Sequence, residues 1–339
     1  MTEEIASTGV WQDVAEMPAS LQATLDAATG FAEVVDLLKR KDTRRIVASG
    51  NGASYYVAQA LWLAALEGDH DGVEVIAVPG GLIAKGLFRW RTGDALLAVS
   101  SSGEFRDIIE AIEHPRFRQP FAAVTATPDS TIAESAGAHA LVQVAPQRAV
   151  THTQAFCGAV AACLAIWAEV ADDRMLSLAV SGVPEVCERS LALTERWFGE
   201  SLMDMPTPSA AIAFGTGPAW AAALEDALLV KEIARVPCEG AETREGATAG
   251  MTALLPDHLA LSLPIRDDPL IGEAEEICRR RGAYVLRAPG GAQADRRLAA
   301  IATFPAALAL SVELALRAGL DTDNPDWIDT YYTTARQSS

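Results

Sequence analysis

Short apolar runs alternate with amphipathic segments along most of the chain, and this alternation predicts the fold. The apolar runs predict buried strands at 45–49, 73–78, 95–99, 120–125, 140–144, 259–263 and 283–286. Between them, the segments 55–66, 105–112 and 304–316 have helical spacing, as does the amino-terminal stretch 11–40. Strands that alternate with helices imply βαβ units, in which a parallel sheet is covered by helices on both faces.

One strand–glycine–helix pattern occurs twice. Residues 210–220 align with residues 45–55 at a constant offset of 165, and both copies have Gly-x-Gly between an apolar run and an alanine-rich helix. The sequence therefore predicts two copies of one α/β domain about a pseudo-twofold axis. The predicted boundaries are amino-terminal helices at 1–40, a first domain at 41–170, a helical linker at 171–206, a second domain at 207–318 and a carboxyl-terminal tail at 319–339.

Charge and composition limit the classes of function. A net charge of −18 argues against a nucleic-acid partner, which needs a basic footprint. The first ten residues lack the pattern of a secretory signal, and the longest apolar run, 155–168, is too short for a membrane span. The five cysteines form no CxxC pair and have no ligand spacing with the five histidines, so we expect reduced thiols in a cytoplasmic protein and no zinc site. We expect His70, His114, His139 and His258 to be structural.

The segment Ala98-Val-Ser-Ser-Ser-Gly-Glu104 is the strongest candidate for chemistry. It places three hydroxyls and a glycine between a predicted strand and a predicted helix, where backbone N–H groups and the helix dipole favour an anion. No lysine follows the glycine, so one phosphate monoester fits better than a nucleotide polyphosphate. The alternative is an ordinary helix cap.

Six motifs in order resemble the SIS (sugar isomerase) family, in particular the isomerase half of glucosamine-6-phosphate synthase and its stand-alone relatives. They are Asp13-Val-Ala-Glu-Met-Pro18, Gly52-Ala-Ser-Tyr55, Ser100-Ser-Ser-Gly-Glu104, Thr151-His-Thr-Gln-Ala-Phe156, Ala223-Leu-Glu-Asp-Ala-Leu-Leu-Val-Lys-Glu-Ile233 and Asp323-Asn-Pro325. The resemblance implies an α/β fold of two tandem SIS domains, each a parallel sheet flanked by helices in a three-layer arrangement.

The resemblance also implies a set of site residues. Glu232 falls on the family's catalytic glutamate, which moves a proton between C1 and C2 of the opened sugar, although it could instead be a solvated helix charge or the partner of Lys231 or Arg235. The phosphate and the sugar would be held by Gly52, Ala53, Ser54, Ser100, Ser101, Ser102, Val150, Glu245 and Thr248.

Four family positions are changed. The family's helix lysine, ring-opening histidine, carboxyl-terminal lysine and phosphate-loop threonine are here Leu229, Thr248, Thr330 and Phe105. Either another group opens the ring, or the substrate arrives open-chain, or the chain is not catalytic. His152 stands where the family has a serine near the sugar. We therefore hypothesise that His152 is a second catalytic residue that supplies the missing acid–base function; the alternative is a hydrogen-bonded structural histidine.

Together these features predict an isomerase, deaminase or deglycase that acts on a hexose or amino-sugar 6-phosphate through an enediol or enolamine. No cofactor or metal is implied. The expected partners are the sugar phosphate and a second copy of the chain, with active sites near the subunit interface, and neither a membrane nor nucleic acid. The alternatives are a non-catalytic sugar-phosphate sensor and an enzyme acting on a non-standard sugar of specialised metabolism.

Overall fold

The computed structural model describes residues 1–68, 72–203 and 205–335, so His70 and the last four residues of the predicted tail lie outside the described part. The strands are β1 Arg45–Gly50, β2 Glu74–Pro79, β3 Asp94–Val99, β4 Phe121–Thr125, β5 Ala138–Leu141, β6 Ala210–Gly215, β7 Cys238–Glu242, β8 His258–Ser262 and β9 Tyr284–Arg287. The helices are α1 Glu3–Ser7, α2 Gly9–Ala15, α3 Met17–Ala27, α4 Phe31–Leu38, α5 Ala53–Leu66, α6 Gly80–Ala84, α7 Arg106–Glu113, α8 Thr131–Ser135, α9 Thr153–Val170, α10 Arg174–Ser181, α11 Val183–Trp197, α12 Pro218–Ala234, α13 Thr243–Thr248, α14 Ile271–Arg280, α15 Ala299–Ala302, α16 Phe304–Arg317 and α17 Ile328–Ala335.

Two parallel sheets organise the chain, which confirms the predicted α/β class. The first sheet has the order β2-β1-β3-β4-β5 and the second has the order β7-β6-β8-β9. All strand pairs described are parallel. The strands β1 and β6 begin and end at the same offset of 165 residues that the sequence alignment gives.

The chain divides into two compact units, each built on one sheet. The first-sheet unit comprises Ala19–Ala145, Gln154–Ser181 and Asp326–Ser339. The second-sheet unit comprises Met1–Pro18, Pro146–Thr153 and Gly182–Pro325. Helices flank each sheet because the strands present apolar side chains on both faces: β1 and β3 are buried along their whole length.

Each sheet packs one face against an apolar cluster. In the first-sheet unit, Val47, Leu96 and Ala123 pack with Ile108 of α7 and Ile132 of α8. In the second-sheet unit the corresponding cluster includes Ile212, Phe214 and Ala260 with Ile271 and Cys278 of α14.

Two strand assignments need correction. The run at 140–144 predicted a strand, but β5 ends at Leu141. Strand β7 was not predicted, because its segment Cys238-Glu-Gly-Ala-Glu242 is polar and lies at the edge of the second sheet. Gly240 is required there for close packing: a Cβ at this position would lie 2.6 Å from the carbonyl oxygen of Ala223 on α12.

Two long helical stretches, Thr153–Val170 and Arg296–Arg317, have the length and composition of a membrane span, contrary to the expectation that the run at 155–168 is too short. Since 89% and 94% of an 18-residue window within these stretches is buried inside the protein, they have the environment of core helices. The cysteines are free thiols and all but Cys238 are buried, as expected; burial raises the pKa of Cys163 and Cys187 to about 12.

Candidate functional site

The carboxyl ends of β1 and β3 lie side by side in the middle of the first sheet. Ser49 is the register partner of Ala98, so the loops that follow the two strands begin next to each other. β2 lies on the other side of β1 and β4 on the other side of β3, which makes this the point where the strand order reverses. Ligands of open α/β sheets bind in the crevice at such a point. The two loops that leave it carry Gly52 to Ser54 and Ser100 to Ser102.

The loop after β1 has a backbone that depends on glycine. Gly52 has φ of +52° and forms the amino-terminal cap position of α5, and Ala53 and Ser54 begin that helix half-buried. At Gly50 a Cβ would lie 2.6 Å from the carbonyl oxygen of Ser54, so a side chain would push the helix away from the strand. The Gly52 conformation recurs at Gly217, with φ of +54°, before α12.

The serine loop, residues 100–104, folds as a tight turn directly after β3. Ser100 is buried, and its hydroxyl accepts a hydrogen bond from the Gly103 N–H at 3.1 Å. The carbonyl of Ser101 accepts hydrogen bonds from the Ala126 N–H at 3.1 Å and the Thr125 hydroxyl at 3.2 Å. These contacts fix the turn from β3 and β4, while Ser101 and Ser102 stay partly exposed.

Helix α7 leads away from this loop and begins without a side-chain cap. Its cap residue is Phe105, which has no acceptor for the N–H groups of the first turn. Those N–H groups and the positive end of the helix dipole favour an anion. Phe105 stands where the SIS family has a threonine. It offers no hydroxyl to a ligand, and it leaves the N–H groups of the first turn of α7 without a side-chain cap.

Neighbouring polar residues hold the loop in place, and sequence reasoning missed them. Glu104 accepts hydrogen bonds from the Thr131 N–H at 2.7 Å and the Thr131 hydroxyl at 2.8 Å, so it caps α8. The Asn51 amide donates to the Asp107 carboxylate, and its oxygen accepts from the Gly80 N–H at 3.1 Å. Asn51 thereby joins the loops after β1, β2 and β3. In the sequence, the feature that could have indicated this role is the position of Asn51 between Gly50 and Gly52.

Gly103→Ala should destabilise the protein by about 1–3 kcal/mol, because Gly103 has φ of +65° and a Cβ there would lie 1.9 Å from the Ser130 hydroxyl oxygen. Urea unfolding measures the change. Gly272→Ala is the matched control: it lies in helix α14, and nothing lies within 4 Å of its Cβ position. Equal stabilities of the two variants would contradict the described turn.

Glu232 lies in the last turns of α12, in the second-sheet unit. Burial raises the pKa of its carboxyl to about 7, against the opposing effects of Lys231 and Arg235. The Arg235 guanidinium donates to the backbone carbonyl of Glu232. A carboxyl with a pKa near 7 is present in both protonation states at neutral pH, which suits a group that accepts a proton and returns it.

Two further acids on α12 are buried, and the sequence analysis assigned them no role. Asp226 has no exposed surface, and neither of its carboxyl oxygens has a hydrogen-bond partner among the described residues. One oxygen of Glu225 is likewise buried and, within the described chain, unpartnered. Burial raises the pKa of both carboxyls well above the ordinary range, and the charges of Glu232 and Asp226 raise that of Glu225 further. The available sequence signal was a pair of adjacent acids flanked on both sides by apolar residues of the helix.

Asp226→Asn should stabilise the protein at neutral pH. The folded-state pKa is raised, so the folded protein keeps Asp226 neutral while the unfolded chain ionises above pH about 4. The wild-type protein therefore loses stability as the pH rises from about 4 toward the pKa of Asp226 in the folded state. The loss is at most about 1.4 kcal/mol per pH unit.

The amide does not titrate, so the advantage of Asp226→Asn should be small at pH 4 and grow between pH 5 and pH 8. Urea unfolding across this range measures it, with Glu239→Gln, an exposed acid on β7, as the control. A stability difference between wild type and Asp226→Asn that does not change with pH would contradict a neutral buried carboxyl.

His152 is exposed, in the segment 146–152 that precedes α9. Two aspartates hold this segment in place. The Asp13 carboxylate is fully buried and accepts hydrogen bonds from the N–H groups of Arg148 and Ala149 at 2.8 and 3.0 Å. The Asp323 carbonyl accepts from the Val150 N–H at 2.9 Å, and its carboxylate accepts from the first amides of α2. Asp323 belongs to the Asp-Asn-Pro motif, so this motif has a structural role in holding the segment that carries Val150 and His152.

Thr248 and Glu245 are exposed on the short helix α13. The Thr248 hydroxyl donates to the Arg244 carbonyl at 2.8 Å, within its own helix. The Glu242 carboxylate caps α13 by accepting from the N–H groups of Arg244 and Glu245. Leu229, where the family has lysine, is 1% exposed and belongs to the core.

The predicted site residues are therefore divided between the two units. Gly52, Ala53, Ser54 and the serine loop lie in the first-sheet unit. In the second-sheet unit lie Val150, His152, Glu232, Glu245 and Thr248. In the part of the chain that the structure describes, no group of three or more His, Cys, Asp or Glu side chains could hold a metal ion.

Known proteins with similar sequences are glutamine–fructose-6-phosphate aminotransferases (isomerizing). The chain is 24% identical to the enzyme of Sulfolobus acidocaldarius over 235 residues, which is 67% of this chain and 38% of that protein. It is 22% identical to isoform 2 of Bos taurus over 296 residues, which is 81% of this chain and 43% of that protein. The chain thus spans about two fifths of the length of these relatives. No protein-family model matches it.

Solved structures give the same picture for the fold. The carboxyl-terminal domain of glucosamine-fructose-6-phosphate aminotransferase from Francisella tularensis superposes with a TM-score of 0.80 at 17% identity, covering 96% of this chain and 100% of that one. Glucosamine-6-phosphate deaminase from Thermotoga maritima gives a TM-score of 0.74 at 19% identity, with 94% and 98% covered. The chain shares the fold of these phosphosugar enzymes.

Proposed function

We propose that the protein is a sugar-phosphate isomerase, deaminase or deglycase that acts on a hexose or amino-sugar 6-phosphate. The observation that carries the proposal is Glu232: its side chain is half-buried, burial raises its pKa to about 7, and it lies on the helix whose sequence resembles the catalytic helix of the SIS family. The fold and the sequence similarity to isomerizing aminotransferases support the same class of chemistry.

Glu232 acts as the proton shuttle. Its ionised carboxylate removes the proton from the carbon next to the carbonyl of the open-chain sugar. The electron pair moves toward the carbonyl oxygen, which takes a proton from solvent, and an enediol or enolamine forms. The protonated carboxyl then returns its proton to the former carbonyl carbon while the neighbouring hydroxyl of the enediol loses its proton to solvent, which completes an aldose–ketose exchange. The serine loop and the first amides of α7 hold the phosphate.

Ring opening needs a second acid–base group, and we assign it to His152. Its exposed position leaves it accessible to a ligand, and histidine is the side chain that most often serves in general acid–base catalysis. Val150 in the same segment, with Glu245 and Thr248 on α13, complete the sugar-binding residues of the second-sheet unit. A substrate that arrives open-chain is the alternative, in which His152 is dispensable.

The architecture in this proposal is that of two tandem SIS domains, at 41–170 and 207–318, between the terminal segments and the linker at 171–206. It is supported by the matching strand order of the two sheets and by the equal offset of β1 and β6. We further propose a cytoplasmic homodimer with active sites near the subunit interface, as the resemblance implies.

A non-catalytic sugar-phosphate sensor is the second candidate. It is favoured by the core position of Leu229 and the helix-bound hydroxyl of Thr248, which offer no replacement for the family's lysine and histidine at those positions. An enzyme acting on a non-standard sugar remains a third form of the proposal, in which the altered loops accommodate the different substrate.

The proposal is tested by incubating the purified protein with a panel of hexose and hexosamine 6-phosphates. Aldose–ketose products are separated by chromatography, and ammonia is assayed in the same samples. Turnover of a phosphorylated sugar but not of the same sugar without phosphate supports the proposal. Binding of a sugar phosphate by calorimetry with no turnover of any compound would favour the sensor.

A further inference from the structure

A cavity lies in the first-sheet unit, at the opposite end of the sheet from the serine loop. It has a volume of about 440 Å³, within the range of small-molecule sites. Phe121, the first residue of β4, and Gly137, just before β5, contribute to its lining. The strands are parallel, so this is the amino end of the sheet, whereas the serine loop follows the carboxyl end of β3.

The lining of this cavity is mixed: apolar and aromatic side chains form one part of it, and the polar side chains of Gln119 and Ser135 contribute as well. Leu37, Ile112, Phe117 and Phe121 line it. The Phe117 ring packs edge-to-face against both Phe121, with centroids 6.3 Å apart, and Trp90, at 5.3 Å. These contacts hold the Phe117 ring in a fixed orientation, so it presents a preformed wall for an apolar or aromatic group.

One cation, Arg40, lines the cavity, in a chain whose net charge is −18. The Arg40 guanidinium lines it and is exposed, and its ion pair with Asp42 is long, at 4.0 Å. Lys41, Arg116 and Arg118 are exposed on the two segments that contribute Arg40 and Phe117, but they do not line the cavity. One carboxylate, Glu113, also lines the cavity and disfavours a doubly charged anion.

We propose that this cavity is a ligand site for a small organic monoanion with an apolar or aromatic body, such as an aromatic carboxylate. Arg40 binds the anionic group and Phe117 packs against the body. The site is separate from the serine loop and does not depend on the sugar-phosphate proposal. A chain with a strongly negative overall field repels anions, so the Arg40 guanidinium is the group that makes binding here favourable.

A fluorescence titration with 8-anilinonaphthalene-1-sulfonate, an aromatic monoanion, tests the site. We expect saturable binding that naphthoate displaces. Arg40→Glu should weaken it at least 10-fold by reversing the charge, and Phe117→Ser should weaken it similarly by removing the wall. Arg40→Lys should keep most of the affinity. Arg280→Glu is the matched control, since Arg280 is likewise an exposed arginine but lies in the second-sheet unit.

The neutral analogue N-phenyl-1-naphthylamine separates charge recognition from apolar adsorption. It should bind at least 10-fold more weakly than the sulfonate. Equal binding of the two probes, or an unchanged titration of the surface variant Arg40→Glu, would overturn the proposal. Circular dichroism of Phe117→Ser shows whether this variant is folded, so that a loss of binding is not mistaken for unfolding. Arg40 is exposed, so Arg40→Glu tests the site without disturbing the packing of the core.

Discussion

Replacing Glu232 by glutamine is expected to lower the turnover of an accepted sugar phosphate by about 10²–10⁴-fold. Glutamine keeps the shape and the hydrogen-bonding capacity of the side chain but cannot accept a proton from carbon. Ligand affinity should change little, because the phosphate is held by the serine loop. Steady-state kinetics measure the loss and calorimetry measures the affinity. Glu195→Gln, an exposed acid on α11, is the matched control and should leave turnover unchanged.

The pH dependence of turnover tests the role of Glu232 independently. The base form of Glu232 increases as pH rises through its pKa of about 7, so the wild-type rate should rise across this range. The residual rate of Glu232→Gln should lack that rise. Turnover of Glu232→Gln within a few-fold of wild type, with the same pH profile, would exclude Glu232 as the shuttle.

Asp94→Ala is expected to destabilise the protein by about 3–5 kcal/mol, because it removes one partner of a buried ion pair and leaves the other charge uncompensated. Asp94 accepts two hydrogen bonds from the Arg45 guanidinium, at 2.7 and 2.9 Å, and a third from the Arg91 N–H at 2.7 Å. The side chains of Arg45 and Asp94 are only 9% and 1% exposed. Without Asp94 the guanidinium would be buried without a counter-charge.

This ion pair also aligns the two strands that lead to the candidate site. Arg45 and Asp94 are register partners at the amino ends of β1 and β3, whose carboxyl ends carry the Gly52 loop and the serine loop. Glu276→Ala, which removes an exposed pair with Arg280, is the control and should cost no more than about 1 kcal/mol. Equal losses in urea unfolding for Asp94→Ala and Glu276→Ala would contradict the role of the buried pair.

Much of the fold could be predicted from the sequence because the central strands are buried on both faces. Continuous apolar runs located β1 and β3 to within one residue of their ends, and the Gly-x-Gly repeat located β6. The edge strand β7 escaped prediction because an edge position tolerates polar residues: only Ala241 of its five residues is buried. Its pairing with β6 depends on the close approach of α12 at Gly240, which is a tertiary contact.

The candidate site could be predicted only in part. The serine loop was located because hydroxyl residues and glycine between a strand and a helix form a local pattern. The buried state of Asp226 and Glu225 could not be derived, since a helix sequence does not show which acids the rest of the fold covers. The bridge from Asn51 to Asp107 joins residues 56 positions apart and likewise depends on the sheet order. The role of His152 stays a prediction.

The most direct test of the account is deuterium exchange at carbon, followed by proton NMR. The protein is incubated in D2O with hexose and hexosamine 6-phosphates, and the signals at C1 and C2 are followed with time. The account predicts loss of the exchangeable C–H signal with at least one of these sugars, at a rate that falls by about 10²-fold or more in Glu232→Gln. Ligand line-broadening with no exchange at carbon in any sample would contradict proton transfer by Glu232.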